Sequence, residues 1–125
     1  MPRAIVAGHG TFPEGMVSAV AQITGRDDVL VPFSNVGLGR EEIETALRDR
    51  VSQHEIDVVF TDLPGGSATF AARRLLRENP ALVLVTGTNL AALIDFVFSD
   101  TMSPADAARH AAEKGRSALT VAQTQ

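Results

Sequence analysis

The sequence predicts an α/β fold: a three-layer, doubly wound parallel sheet with helices on both faces. Three observations point there. Short apolar runs rich in β-branched residues alternate with amphipathic helical patterns along the chain. Two of those runs, Ala4-Ile5-Val6-Ala7 and Ile56–Thr61, are almost wholly apolar, as strands covered on both faces are. Right-handed crossovers leave few strand orders; the common compact one is 2-1-3-4, in which winding reverses between strands one and three.

The elements follow in order. Arg3–Ala7 is the first strand. Glu14–Thr24 is a helix with Met16, Val17, Val20 and Ile23 on one face, stopped by Gly25. Val29–Phe33 is the second strand, and Pro32, which has no N–H to donate, suits it to a sheet edge. After the loop Ser34–Gly39, Arg40–Gln53 is a charged helix with Ile43, Leu47 and Val51 at spacing four. Ile56–Thr61 is the third, central strand. Gly66–Glu78 is a helix ended by Asn79-Pro80, and Ala81–Val85 is the fourth strand. Leu90–Phe98 is a short helix. Ser103-Pro104 opens another, with Ser as N-cap and Pro in the first turn. Gly115 is placed as its stop, and Ser117–Ala122 is read as a last strand.

Composition narrows the function. A chain of 125 residues, 45% apolar and 21% charged, suggests one globular domain over 1–125. Net charge −4 and a pI of about 5.2 argue against a nucleic-acid surface. Cysteine is absent, which excludes disulfides, thiol catalysis and Cys-ligated zinc. Met1-Pro2-Arg3-Ala4 lacks the apolar stretch of a signal peptide, and Ala81–Phe98 is interrupted by Thr86-Gly87-Thr88-Asn89 and Asp95. A soluble cytoplasmic protein is expected, with a mostly aliphatic core, since there is no Trp or Tyr and only six Phe.

His9 is the leading candidate site residue. It follows the first strand within Gly8-His9-Gly10, where flanking glycines remove Cβ atoms that would crowd the imidazole. An exposed histidine at a strand's carboxyl end is a candidate nucleophile or proton carrier; a turn histidine is the plain alternative. In an open α/β sheet, ligands bind where the winding reverses. There Asp62, after strand three, faces His9 and is suited to hold the ring in one tautomer. Gly65-Gly66-Ser67 begins the next helix, whose first N–H groups can hold an anion, with the Ser67 hydroxyl adding to them. No Lys or Arg occurs in residues 8–15 or 61–69, and Lys114 is the only lysine. Polyphosphate sites neutralise charge with Lys and Mg²⁺, so the pattern fits one phosphoryl group rather than a nucleoside triphosphate.

Three segments carry a family resemblance. Gly8-His9-Gly10-Thr11-Phe12-Pro13-Glu14-Gly15 resembles the active-site segment of the mannose-type EIIA components of the bacterial phosphoenolpyruvate-dependent sugar phosphotransferase system. Thr61-Asp62-Leu63-Pro64-Gly65-Gly66-Ser67 resembles the second motif of that family, and Gly87-Thr88-Asn89-Leu90-Ala91-Ala92-Leu93 a third. The resemblance covers essentially the whole chain. It implies a cytoplasmic phosphotransferase component, a homodimer with the 2-1-3-4 sheet and a C-terminal antiparallel edge strand exchanged between subunits. It also implies that His9 is phosphorylated, that Asp62 orients it and that Ser67 contacts the phosphate, with Gly10, Thr11, Gly65 and Gly66 as the cradle. Phospho-HPr would donate, a IIB component would accept, and the membrane would be met only through a IIC/IID permease. No cofactor, metal or nucleic acid is implied. Two departures stand out: Ala92 replaces the usual Pro, expected to alter a loop facing the partner, and no fused IIB domain is expected after the last strand.

The remaining candidates have plainer readings. His54 and His110 read as surface residues without a metal pattern. Arg73, Arg74 and Arg77 lie on the helix that starts at the site, either as a solvated face or as a patch steering an acidic partner. Phe12 and Leu63 flank the motifs as docking rim or core packing. Three rival functions are a regulatory phosphohistidine protein in an incomplete phosphotransfer chain, a Ser-His-Asp hydrolase, and a small-anion binding module. Against the hydrolase, Thr69 stands where Gly-x-Ser-x-Gly would need glycine.

Overall fold

A computed structural model describes residues 2–125 of the chain. Strand β1 (Ala4–Gly8) is buried along its whole length, as its unbroken apolar sequence requires. It pairs in parallel with β2 (Leu30–Ser34) on one side and β3 (Val58–Thr61) on the other. β3 pairs in parallel with β4 (Val83–Val85), giving the order β2-β1-β3-β4. Pro32 therefore lies on an edge strand. Gly8 stands opposite Ser34, and Ala7 opposite Thr61, so three strands end level and their loops open at one edge.

Alternation along the strands divides the core in two. Ala4, Val6, Val58 and Phe60 face one side and meet α1 (Phe12–Thr24), α4 (Leu90–Val97) and α5 (Pro104–Ala118). Ile5, Ala7 and Val59 face the other and meet α2 (Arg40–Gln53) and α3 (Ser67–Glu78). On α2 the spacing-four set Ile43, Leu47 and Val51 is buried as expected. The largest side chains of the first layer, Phe60 and Phe96, meet edge to face with centroids 5.0 Å apart. Such a pair contributes about 0.5–1.5 kcal/mol beyond its buried area.

Helix ends follow their local chemistry. Gly25 closes α1 in the left-handed conformation, φ +75°, donating to the carbonyl of Ala21. Ser103 caps α5 by accepting from the N–H of Asp106 at 3.2 Å.

Three expectations are corrected. Ile23 is 59% exposed, so the packed face of α1 ends at Val20. Gly115 does not stop α5, which runs on to Ala118. Its missing Cβ instead lets α4 approach, because a Cβ there would lie 2.9 Å from Asn89 Oδ1 and 3.0 Å from Ala92 Cβ. Finally, Ser117 and Ala118 belong to α5, and residues 119–125 form no strand. The alternation that suggested one is real, with Leu119 and Val121 both strongly exposed, but a strand needs a paired edge and this segment lies along none. Within the single chain the sheet of the described residues thus has four parallel strands.

Candidate active site

β1 delivers His9 to the sheet edge. The chain turns there into α1, with the His9 carbonyl accepting from the Phe12 N–H at 3.0 Å and Gly10 left-handed at φ +55°. β3 delivers Asp62 to the same edge. One carboxylate oxygen, Asp62 Oδ2, accepts the backbone N–H of His9 at 2.9 Å and lies 2.8 Å from His9 Nδ1. The imidazole is 50% exposed and the carboxylate 12%. Burial pushes the Asp62 carboxyl up, yet the backbone and ring hydrogen bonds from His9 outweigh it and hold the group below its ordinary value of 3.8. An acceptor fixed on Nδ1 leaves Nε2 as the open nitrogen of the neutral ring.

The glycines have specific tasks. A Cβ on Gly8 would lie 2.7 Å from Asp62 Cγ and Oδ2, so Gly8 makes room for the carboxylate, not for the imidazole as expected. Gly66 precedes α3 at φ +98°, ψ 165°, a region that is essentially glycine-only. A Cβ there would come 3.0 Å from His9 Cε1 and 3.5 Å from Nε2. The amino end of a twelve-residue helix therefore sits against the open side of the ring. Its first-turn N–H groups lack helical partners and favour an anion.

Ser67 is the first residue of α3 rather than its cap, and its Oγ accepts from Asn35 Nδ2 at 3.0 Å. Asn35 in turn donates its backbone N–H to the carbonyl of Gly8 at 3.1 Å. The neighbouring Ser34 hydroxyl donates to the carbonyl of Gly10 at 2.7 Å. Neither Ser34 nor Asn35 stood out in the sequence; only the position of β2 beside β1 implicates them. Thr69, buried, lies 2.6 Å from the Leu63 carbonyl and 2.8 Å from Thr61 Oγ1, pinning the Asp62 loop to α3.

Among the described residues His9 makes no hydrogen bond to Ser67, although a hydrolase triad needs its base within reach of the nucleophile. The third motif plays a different part. Thr88 joins the edge by donating to the Thr61 carbonyl at 3.0 Å. Asn89 caps α4, accepting from the Ala92 N–H at 3.1 Å and donating to the Gly115 carbonyl at 2.9 Å. Ala92 is 3% exposed, so this departure lies in the core and not on a partner-facing loop.

Phe12 is half-buried against the core, whereas Leu63 is exposed at the rim. His54 forms the C-cap of α2 and is partly buried, not fully solvated. His110 is exposed but partnered, its Nδ1 lying 2.7 Å from Asp95 Oδ2. Among the described residues no group of three or more His, Asp or Glu side chains is placed to hold a metal. None of the described helices is long and apolar enough to cross a membrane.

Fold and site together define a doubly wound α/β protein that presents a carboxylate-held histidine where its sheet reverses winding. The family EIIA-man, described as the PTS system fructose IIA component, matches residues 3–113, and the chain belongs to that family. Phosphotransferase system component EIIA from Streptococcus agalactiae superimposes with a TM-score of 0.87 at 25% identity, covering 97% of each chain. The mannose/sorbose-specific IIA subunit from Enterococcus faecalis gives 0.86 at 23% identity, over 99% of this chain and 96% of that one. The IIA protein associated with the fucose utilization operon of Streptococcus pneumoniae gives 0.83 at 22%, over 96% and 92%. No curated protein matches the chain. Membership and structural likeness support a phosphotransfer role in a sugar phosphotransferase system.

Proposed function

We propose that His9 is a phosphoryl carrier, loaded by phospho-HPr and unloaded by a IIB component. The Nε2 lone pair attacks the donor's phosphorus, the donor's phosphorus–nitrogen bond breaks with its electrons leaving to the donor nitrogen, and the Nδ1 proton stays on its bond to Asp62. Passage to IIB reverses the roles, and IIB with a IIC/IID permease couples transfer to sugar uptake. The observation that carries this reading is Asp62 on Nδ1, which leaves Nε2 open beside Gly66.

Phosphoryl transfer is mostly positioning and charge stabilisation, and each nearby residue has a place in that task. Asp62 fixes the tautomer and steadies positive charge on the ring. Gly10, Thr11, Gly65 and Gly66 bring backbone close to the phosphoryl oxygens. Because Ser67 Oγ already accepts from Asn35, its own proton is free for one of those oxygens. Residues 1–125 act as one domain, in a cytoplasmic homodimer, without metal or cofactor.

The test is direct. Incubation with phosphoenolpyruvate, enzyme I and HPr should add one acid-labile phosphoryl group by intact mass. His9→Ala should take up none. An unlabelled wild type, or an equally labelled His9→Ala, would refute the proposal.

A further inference from the structure

One face of α3 leads away from the site and is lined with arginine. Ser67, Phe70, Arg73, Arg74 and Arg77 follow one another at helical spacing, and Arg40 closes the groove from the start of α2. The groove holds about 500 Å³. Its only carboxylate is Glu44, which Arg74 reaches at 3.6 Å. Among the described residues Arg40, Arg73 and Arg77 form no ion pair. Four of the eleven basic residues thus converge in a chain whose net charge is −4. Like-charged guanidiniums repel one another, so their clustering weakens the free protein and needs an anionic counterpart to be useful. Phe70 lies among them, 57% exposed. Arginine and exposed aromatic side chains are the residue types that anchor protein interfaces.

We infer that this face of α3 docks a protein partner whose surface is acidic beside its own phosphorylation site. The inference rests on the carrier role proposed for His9. Geometry selects a protein over a small anion. From Ser67 to Arg77 the helix rises about 15 Å, far longer than one phosphate. The groove is continuous with the site, since Ser67 belongs to both. Any protein that brings a phosphorus atom to Nε2 must cover the amino end of α3, and the adjoining arginines then meet its surface. Phe70 supplies the apolar anchor within the charged ring. The arginines lie beyond the phosphoryl position, so they act on encounter and not on the chemical step.

The experiment uses the whole chain with HPr and the IIB component of the same organism. Transfer is followed in each direction at low and high salt for wild type, for Arg73→Glu/Arg77→Glu, for Arg73→Lys/Arg77→Lys and for Phe70→Ala. With one of the two partners, charge reversal should raise KM about tenfold, leave kcat nearly unchanged and flatten the salt dependence. The lysine pair should keep the salt dependence, and Phe70→Ala should raise KM without altering it. Thermal melts confirm that each variant is folded. If wild type is phosphorylated on His9 and the charge-reversed chain exchanges with both partners at wild-type KM, the docking face is refuted and the carrier role survives. Tight binding of inorganic pyrophosphate to the groove, with partner KM unmoved, refutes it in favour of a small-anion site. If wild type takes no phosphoryl group at all, both proposals fall together.

Discussion

The protein holds two histidine–aspartate pairs that look alike at close range. His9 Nδ1 lies 2.8 Å from Asp62 Oδ2, and His110 Nδ1 lies 2.7 Å from Asp95 Oδ2. Both rings are about half exposed, and both carboxylates are mostly covered. Their surroundings differ. His9 sits past the end of a strand, with the amino end of α3 against its open side and a serine fixed by Asn35 beside it. His110 sits within α5, and Asp95 reaches it from the packed neighbour α4. Asp62 also takes the backbone N–H of His9, so the carboxylate is locked to the chain as well as to the ring. A carboxylate on a histidine is therefore an ordinary way to dock two helices. If His9 is the phosphoryl carrier we propose, what separates it from His110 is the amino end of α3 lying against its open nitrogen.

The largest effect is expected at Asp62. Asp62→Asn should retain the fold but slow transfer through His9 by about 10²–10⁴-fold, because an amide can hold the ring in the wrong tautomer. Single-turnover transfer from phospho-HPr measures this, and a wild-type rate would remove Asp62 from the mechanism. The same variant has a pH signature. The Asp62 carboxyl is held below 3.8 in the folded protein, by bonds from His9 that outweigh its burial. A lowered folded value means stability that is present above the unfolded value and lost as pH falls through the folded one. Denaturant melts should therefore show wild type above Asp62→Asn near neutrality, with the gap closing below about pH 4. A gap that widened in acid would contradict the hydrogen bonds from His9 as the cause.

Gly66→Ala comes next. It puts a Cβ 3.0 Å from His9 Cε1 on a backbone that side chains avoid. Relief requires the ring or α3 to shift, and a misplacement of that order costs about 10²-fold in rate. Backbone strain should also lower stability by about 1–3 kcal/mol. If Gly66→Ala transferred normally, the contact between α3 and Nε2 would have no functional weight. Asn35→Ala is gentler: loss of one hydrogen bond, worth about 1 kcal/mol, should slow transfer between about threefold and tenfold with little change in melting.

What could be read from the sequence follows the same division. The meeting of His9 and Asp62 was legible because apolar runs mark strand ends, and the winding rule says which ends meet. Asn35 was not, because an asparagine in a polar loop has no periodicity; its role exists only once Gly8 and Ser34 are paired across β1 and β2. Gly115 was misread because a glycine that ends a helix and one that lets a second helix approach give the same local pattern. The partner of His110 was hidden for the same reason: Asp95 lies fifteen residues away, on another helix. The apolar alternation at Leu119 and Val121 is a strand signal without a pairing edge in its own chain.

His110→Gln makes the smallest change and sharpens the contrast most. Glutamine keeps a donor near Asp95 and removes the imidazole. If surroundings and not the pair itself make the site, phosphoryl uptake should stay at one group per chain, with unchanged rates in both directions. Stability should fall by no more than about 1 kcal/mol, the usual worth of one hydrogen bond. The decisive measurement is made on His9→Ala, where His110 is the remaining carboxylate-held ring. Any phosphohistidine formed there and lost on adding His110→Gln would show that a carboxylate-held, exposed ring suffices. An unlabelled His9→Ala shows instead that a carboxylate on the ring is not enough, which leaves the surroundings of His9 to account for the difference.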